Sequence, residues 1–389
     1  MASPPSRPQA RRSALRFIGL AVLSVAIAGC TPRTQRAVEP IQPQPAQPIS
    51  RLPPGETLNR VAVLVPLTGP ASQVGQSLLN AATLALADTG VERIRILPYD
   101  TGPGAAQAAS TAIAQGAGLI LGPLLAEDVR QVAPIAAAAD VPVISFSNDV
   151  SVAGDGVYLM GLNPAQSVDR VVNYARGQGA SRFAALVPSS LYGSRVGDSM
   201  RVSVREARGE FLGTQSYDRS PTALREGAAT LRRLGAFDAV LLADGTRTAV
   251  QAAPLVRGDN RNMRILGTEL WAAEANGGGN AQLRGAWYAA ASDTLFNQLR
   301  TRYRARYSRD PVRLASLGYD STLLAIRIAA NWPLGRPFPE GELRDRQGFV
   351  GVDGAFRFGR DGVAERALEV RQLTASGFSV VSPAPTGFN

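Results

Sequence analysis

The 389-residue chain contains no histidine, no lysine and a single cysteine, Cys30, and all 41 of its basic residues are arginine. Those missing side chains ordinarily carry nucleophilic and acid–base chemistry at neutral pH. Without them no Ser-His-Asp triad, Ser-Lys dyad, Cys-His pair or lysine Schiff base can be assembled. Zinc and the transition metals lose their usual nitrogen and sulfur ligands. Carboxylate pairs and hard-cation loops remain, but no acidic run has calcium-loop spacing. Hydrolysis of a wall glycan would need two acids facing each other across a cleft, and the sequence places no such pair. The composition therefore argues against an enzyme, and neither a cofactor nor a metal is expected.

The surroundings of Cys30 are more informative. Arg7, Arg11, Arg12 and Arg16 precede a twelve-residue apolar stretch at 17–28, followed by Gly29 and Cys30. A charged start, a short apolar middle and small residues before a cut describe an export signal. Twelve residues fall well short of the roughly 20 that span a bilayer. Ile27-Ala28-Gly29-Cys30 resembles the bacterial lipobox, whose cysteine is diacylated on sulfur and becomes the first residue of the mature chain. An ordinary signal with an incidental cysteine is the alternative. The lipobox reading implies a periplasmic lipoprotein, anchored to the membrane through a palmitate-type lipid on Cys30. Such a chain has no thiol left for a disulfide, and nucleic acid drops out of its partners. Thr31, in place of an aspartate, favours the outer membrane by the sorting rule of enteric bacteria. The formal charge of +10 includes the four signal arginines; without them 37 Arg face 31 acids, or +6. Arginine as the sole cation reads as genomic bias rather than function.

The elements that must position any site begin after a tether. Residues 31–54 are rich in Pro, Gln and Arg and read as a partly extended spacer. From residue 60 strands and helices alternate. The run 61–65 is a strand buried on both faces. After a Pro-Leu-Thr-Gly-Pro break, Ser72 can cap a helix whose Val74, Leu78, Ala81 and Ala85 share one face. Strands follow at 94–99, 119–121 and 141–146, with helices at 105–115 and 127–139 between them. A second series starts after 157–161, with helices at 165–176, 194–207 and 221–234 and strands at 183–187, 239–242 and 264–267. Alternation of this kind makes a parallel sheet with right-handed crossovers. Two series make two lobes, with ligands expected at the carboxyl ends of the strands. Residues 292–307 form a helix in which Leu295, Leu299, Tyr303 and Tyr307 recur every four residues. Near the end, Phe356 and Phe358 alternate with Arg357 before a turn at 360–362 and a strand at 367–373, a hairpin-like addition.

Several loops together resemble a known family. Pro66-Leu67-Thr68-Gly69-Pro70 with Gly75, Gly122-Pro123-Leu124, Pro142-Val143-Ile144-Ser145, Leu191-Tyr192-Gly193 and Gly318-Tyr319-Asp320 occur in the order and spacing of type I periplasmic binding proteins of the leucine/isoleucine/valine-binding kind. The resemblance implies an α/β, two-lobed type I periplasmic-binding-protein fold, each lobe a parallel sheet flanked by helices, joined by three crossing segments, with a C-terminal β addition. On that basis residues 1–29 are a signal peptide, 30–58 a tether, 59–163 lobe 1 and 164–290 lobe 2. Residues 291–345 return to lobe 1, and 346–389 form a β segment with lobe 2 and a tail. Within the family, the run from Gly122 to Val129, the loop Phe146-Ser147-Asn148-Asp149 and the run from Gly348 to Phe358 are similar to the penicillin-binding-protein activator lipoproteins. That branch implies a peptidoglycan synthase as partner. The other branch, which delivers amino acids to an ABC importer, implies a small-molecule ligand in the cleft.

The family's ligand contacts transfer only in part. Tyr192 and Glu269 match positions that contact the ligand body and its ammonium. Ala126 stands where a hydroxyl would hold the ligand carboxylate, and Ser147, Asn148 and Asp149 occupy the second carboxylate loop. A carboxylate there, at about 4 Å and an effective dielectric near 20, would repel the ligand by about 4 kcal/mol, roughly a thousandfold in affinity. The candidate cleft residues are Ser72, Ser147, Asn148, Tyr192, Asp244 and Glu269, although Asp244-Gly245 also reads as a plain turn. The leading expectation is a non-enzymatic lipoprotein that activates a synthase by contact, with a substrate-binding lipoprotein for amino acids or related solutes as the alternative. Arg300, Arg302, Arg304 and Arg306 are the candidate docking surface, weighed against the plainer reading of a solvated helix face.

Overall fold

In the computed structural model, which describes residues 52–273 and 280–388, the first apolar run becomes β1 (Asn59–Val65). Residues 61 to 65 are wholly buried, because both faces of a central parallel strand are covered and neither can be polar. There follow α1 (Ser72–Thr89), β2 (Ile94–Asp100), α2 (Ala105–Ala114), β3 (Ala117–Leu121), α3 (Ala126–Ala138), β4 (Val143–Ser145) and β5 (Val157–Leu159). The five strands form a parallel sheet in the order β2-β1-β3-β4-β5. The signal region, Cys30 and tether residues up to 51 lie outside the described residues.

The second lobe contains α4 (Pro164–Gly177), β6 (Arg182–Pro188), α5 (Leu191–Glu206), β7 (Glu210–Tyr217), α6 (Pro221–Arg232), β8 (Ala239–Leu242), α7 (Thr246–Arg257), β9 (Arg264–Gly267), the short α8 (Leu270–Ala273) and β10 (Trp287–Ala290). Strand β7 and helix α7 were not expected. β7 is the polar, half-exposed edge of its sheet and lacks an apolar run. α7 carries Pro254 inside it, a residue that ordinarily signals a helix end. The lobes share one packing device. Gly75 in α1 abuts the carbonyl of Pro66 just after β1, and Gly193 in α5 abuts that of Pro188 at the end of β6; a Cβ at either position would collide with that oxygen.

The chain then returns to the first lobe through α9 (Asp293–Tyr307) and α10 (Ala315–Ile328), which pack on α1. The buried stripe of α9 is Phe296, Leu299 and Tyr303, while Leu295 is 39% exposed. A strict four-residue repeat drifts by about 40° per step around a 3.6-residue helix, so it cannot hold one face. Helix α10 is buried on nearly all sides and offered no amphipathic period to read. It crosses α1 closely enough that a Cβ on Gly318 would collide with the carbonyl of Leu78. The cap expected at Ser72 falls one residue earlier, on Ala71, and no side chain caps the helix; the turn before it is closed by Ser72 N–H donating to Gly69 O at 3.1 Å.

The C-terminal addition differs from a single hairpin. β11 (Phe349–Gly351), β12 (Gly354–Phe358) and β13 (Ala364–Arg366) form a separate antiparallel sheet. Phe349, Phe356 and Phe358 bury into the core of the first lobe, rather than joining the second as expected for 346–389. Only β14 (Glu369–Leu373) and β15 (Phe378–Ser382) enter the second sheet, β14 running antiparallel to β10. That sheet's order is β15-β14-β10-β9-β8-β6-β7. The expected strand at 367–373 is broken because residues 367 and 368 carry the chain from one lobe to the other. Because a Cβ at the α1–α10 crossing would meet the Leu78 carbonyl, Gly318→Ala should cost about 1–3 kcal/mol in urea unfolding. Gly341→Ala, whose Cβ would meet nothing within 4 Å, serves as the near-neutral control.

Candidate functional site

Three segments pass between the lobes: after β5, after β10 and between β13 and β14. Arginines tie them to one another. Arg366 Nη2 donates to Met160 O at 2.7 Å, joining the third crossing to the first. Arg371 Nη2 donates to Ala291 O at 2.7 Å, joining the third to the second. Beside these crossings lies a cavity of about 320 Å³ with walls from both lobes. Its apolar lining includes Leu162, Leu270, Leu314 and Leu368; its polar lining includes Asn148, Gln166, Ser167, Glu269, Arg313 and Arg366.

Of the residues singled out in the sequence, Asn148 and Glu269 line this cavity, whereas Ser72, Ser147, Tyr192 and Asp244 do not. Tyr192 stands behind Glu269, its hydroxyl 3.0 Å from Glu269 Oε1 and 2.9 Å from Thr268 Oγ1. The Ser167 hydroxyl donates to Glu269 Oε2 at 2.6 Å. Both carboxylate oxygens of Glu269 thus have partners within their own lobe, and burial pushes its pKa upward against those hydrogen bonds. Burial, with the charge of Glu269 next to it, also raises the Tyr192 phenol well above its ordinary value. Asp244 lies apart, accepting from the Tyr217 hydroxyl at 2.7 Å and from Arg219 Nε at 3.1 Å. Cys30 falls outside the described residues.

The loop 147–149 is occupied by its own hydrogen bonds. Ser147 N–H donates to Ser145 Oγ at 3.0 Å, and Asp149 N–H donates to Ser147 Oγ at 3.1 Å. Asp149 was expected to repel a ligand carboxylate, but its charge is already matched: Arg195 Nη2 lies 2.6 Å from Oδ1 and Arg130 Nη2 3.3 Å from Oδ2. Arg195 belongs to α5 in the second lobe and Asp149 to the first, so this ion pair bridges the lobes. Although burial opposes ionisation, Arg195 and Ser151 hold the Asp149 carboxyl far below the usual range.

Sequence reasoning missed Arg313 and Arg366, because nothing local marks either as a cleft residue. Behind them sit two fully buried acids. Asp353 pairs with Arg313 Nη1 at 2.5 Å and accepts from the Ser316 hydroxyl at 2.7 Å. Asp320 accepts from Val352 N–H at 2.8 Å. Burial, then the negative charge of Asp353, pushes Asp320 up to about 7. Burial would raise Asp353 too, but Arg313 and Arg366 hold it below its ordinary value. The expected docking arginines are largely paired locally: Arg300 with Asp310 at 2.8 Å, Arg302 with Asp88 at 3.2 Å and Arg304 with Asp310 at 3.9 Å. Among the described residues no group of three or more His, Cys, Asp or Glu side chains could hold a metal ion. No helix among them is long and apolar enough to cross a membrane.

Two lobes of helix-flanked parallel strands, three crossings and a cavity between the lobes define a binding-protein architecture. The profile of the periplasmic binding protein family matches residues 59–377, and the chain belongs to that family. Among solved structures it is similar to the leucine-binding protein LivK of Thermotoga maritima, with 19% identity, 85% of this chain and 99% of that one covered, and a TM-score of 0.60. A putative branched-chain amino acid ABC transporter protein from Rhodospirillum rubrum gives 18%, 83%, 100% and 0.72. The C-domain of LpoA from Haemophilus influenzae, a regulator of PBP1A, gives 17%, 83%, 100% and 0.67. These likenesses show the fold. An uncharacterized protein of Rickettsia prowazekii, RP748, is 25% identical over 173 residues, 44% of this chain and 46% of that protein, so the match spans just under half the length of that relative.

Two titration experiments test this electrostatic layout. The Asp149 carboxyl is depressed in the folded state, so its contribution is present above its ordinary value near 3.8 and is lost as pH falls below it. Arg195→Gln should therefore cost about 1–3 kcal/mol at pH 7, with the gap to wild type narrowing below about pH 4 in denaturant titrations. Asp320 has the opposite sign. Raised to about 7, it favours folding most below its ordinary value and progressively less as pH climbs toward 7. Asp320→Asn should gain in Tm relative to wild type on going from pH 5 to pH 8; a constant difference would refute the assignment.

Proposed function

We propose that this chain is a non-enzymatic periplasmic lipoprotein, anchored through Cys30 in the outer membrane, that docks on a peptidoglycan synthase and activates it by contact. The observation that carries the reading is the state of the amino-acid site. Ser147 and Asp149, in the loop that would receive a ligand carboxylate, are bonded within the protein and across to Arg195. Ala126 supplies no hydroxyl at the companion position. A domain of this fold whose amino-acid half-site is closed off suits a contact role better than solute delivery. Its shared fold with the LpoA C-domain supports the same reading. The tether would let the domain reach a partner in the wall and raise its effective concentration there.

A second reading, a substrate-binding lipoprotein of an ABC importer, is favoured by one observation: Glu269 and a cavity of about 320 Å³ between the lobes are retained. The two separate in a glycan polymerisation assay with a purified bifunctional penicillin-binding protein and lipid-linked substrate. Addition of this lipoprotein should raise the synthase rate severalfold, with no sugar fragments released by the lipoprotein alone. An unchanged rate, together with crosslinking to an importer permease in cell envelopes, would favour the second reading. Release of sugar fragments by the lipoprotein alone would overturn both.

A further inference from the structure

Away from the cleft, arginine gathers at the opposite end of the first lobe. The strands of its sheet are all parallel, so their amino ends lie together. The chain enters there. Glu56 is held by Arg60 at 2.8 Å and by Arg95 at 3.2 Å, at the starts of β1 and β2. Asn59 Nδ2 donates to Trp332 O at 3.0 Å, and Gly335 N–H donates to Asn59 Oδ1 at 2.9 Å. The turn 359–362 reaches the same end beside β5. Leu159 N–H donates to Gly362 O at 2.8 Å, Val363 runs parallel to β5, and a Cβ on Gly362 would touch the carbonyl of Val157, the first residue of that strand.

Between that turn and residues 344–346 lies an open groove of about 860 Å³. Arg344, Arg346, Arg357 and Arg360 line it against two carboxylates, Asp361 and Glu365. Arg357 Nε pairs with Glu365 at 2.8 Å. Arg344 Nε donates to the Tyr158 hydroxyl at 3.1 Å, and Asp361 Oδ1 accepts from Val363 N–H at 3.0 Å. Arg346 and Arg360 are exposed, and among the described residues their side chains make no hydrogen bond or ion pair. The stretch leading into the groove does not cancel this charge. Glu340 accepts from the Tyr158 hydroxyl at 2.6 Å and Asp345 pairs with Arg327 at 3.2 Å, while Arg336 offsets Glu342. Leu334, on the loop held by Asn59, is 52% exposed. The groove therefore presents unmatched positive charge to solvent beside the point where the chain enters.

That point of entry decides what the groove meets. Cys30 lies 22 residues before Leu52, the first described residue, and a coil of that length spans about 25–30 Å. A bilayer holding a lipid on Cys30 is thus within reach of the strand amino ends. We propose that the arginine groove docks the domain on an anionic membrane surface, its guanidinium groups meeting the phosphodiester headgroups of acidic phospholipids. Guanidinium matches phosphate oxygens two at a time, and each arginine close to an anionic bilayer adds to the attachment. Docked in this way, the domain turns its cleft, lined by Asn148 and Leu162 beyond the carboxyl ends of β4 and β5, away from the membrane. The choice of a membrane as occupant rests on the reading of Cys30 as the lipid-bearing residue. An unacylated chain tests the groove by itself and mass measurement of the envelope form tests the acylation, so either can fail alone.

The test is vesicle co-sedimentation of the form that begins at residue 30, carrying Cys30→Ser. It omits the apolar segment 17–28, which would itself enter a bilayer, and keeps the compact unit Pro48–Asn389 whole. Phosphatidylcholine vesicles with roughly one-third phosphatidylglycerol should bind it at least tenfold more tightly than phosphatidylcholine alone. That preference should largely vanish at about 0.5 M salt. Arg346→Gln and Arg360→Gln should each weaken binding about fivefold, and together about twenty-fivefold. Arg225→Gln with Arg233→Gln removes the same charge from exposed positions at α6 in the second lobe, and should change binding less than about twofold. Equal binding to both vesicles, binding to neither, or an equal loss in the α6 pair would each overturn the proposal. Tighter groove-dependent binding of polyglutamate would also overturn it and assign the groove to an acidic protein. Should a variant fall in Tm, the lipid and salt comparisons on the parent chain decide.

Discussion

The arrangement of the lobes depends on arginine side chains buried where the chain crosses between them. A guanidinium group stays charged at any working pH and presents five donors in a rigid plane. Arg371 uses that plane to hold Ala291, Asp293 and Glu369 together, fixing the second crossing against the third. Arg366 does the same for the first crossing through Met160 O, and Gln166 Oε1 accepts from its backbone N–H at 3.0 Å. Removing a charge of this kind from water is expensive unless its hydrogen bonds are made. Each satisfied bond therefore favours one relative placement of the lobes over looser ones.

What brings Arg366 to that position is the C-terminal sheet. β11, β12 and β13 are attached to the first lobe by Phe349, Phe356 and Phe358, with Tyr158 edge-on to Phe358 at 5.1 Å between ring centres. The same sheet sets the tight turn at Val352 and Asp353, whose N–H groups point at Asp320. Gly351 allows this approach, since a Cβ there would strike the Asp320 carboxylate. The β addition thus supplies two of the four charged groups, Asp353 and Arg366, and α10 with its lead-in supplies Asp320 and Arg313. None of these is near another in sequence except as Arg313 is to Asp320.

The opposite side of the cleft is governed by a different bond. Asp149 is drawn toward Arg195 and Arg130, so the loop that would ordinarily present donors to a ligand is turned to the protein's own use. Charge near a ligand site is not the same as charge facing it. A carboxylate that looks repulsive in an alignment becomes an interlobe contact once its cations are placed. Glu269 shows the same effect, with its oxygens turned to Ser167 and Tyr192.

The sequence by itself determined a good deal. The alternation of apolar strands and amphipathic helices set the α/β class and two lobes, because burial of a parallel sheet on both faces leaves a direct trace in composition. The glycines at 75 and 193, and the loops around 122 and 192, located strand-to-helix turns for the same local reason, whereas Gly318 lies inside α10 at its crossing with α1. The absence of His and Lys narrowed the chemistry before any fold was known. Polar edges such as β7 and the all-round burial of α10 left no periodic trace, and both were missed. The site was legible in part: Asn148 and Glu269 reach the cavity, while Ser147, Tyr192 and Asp244 are held away from it. Arg313 and Arg366 could not have been found in this way. Each is one arginine among 41, and only the third crossing brings them to one wall. Which arginines meet acids, and which is left with unmatched donors, is a property of contacts between residues far apart in the chain, and tertiary structure alone decides it.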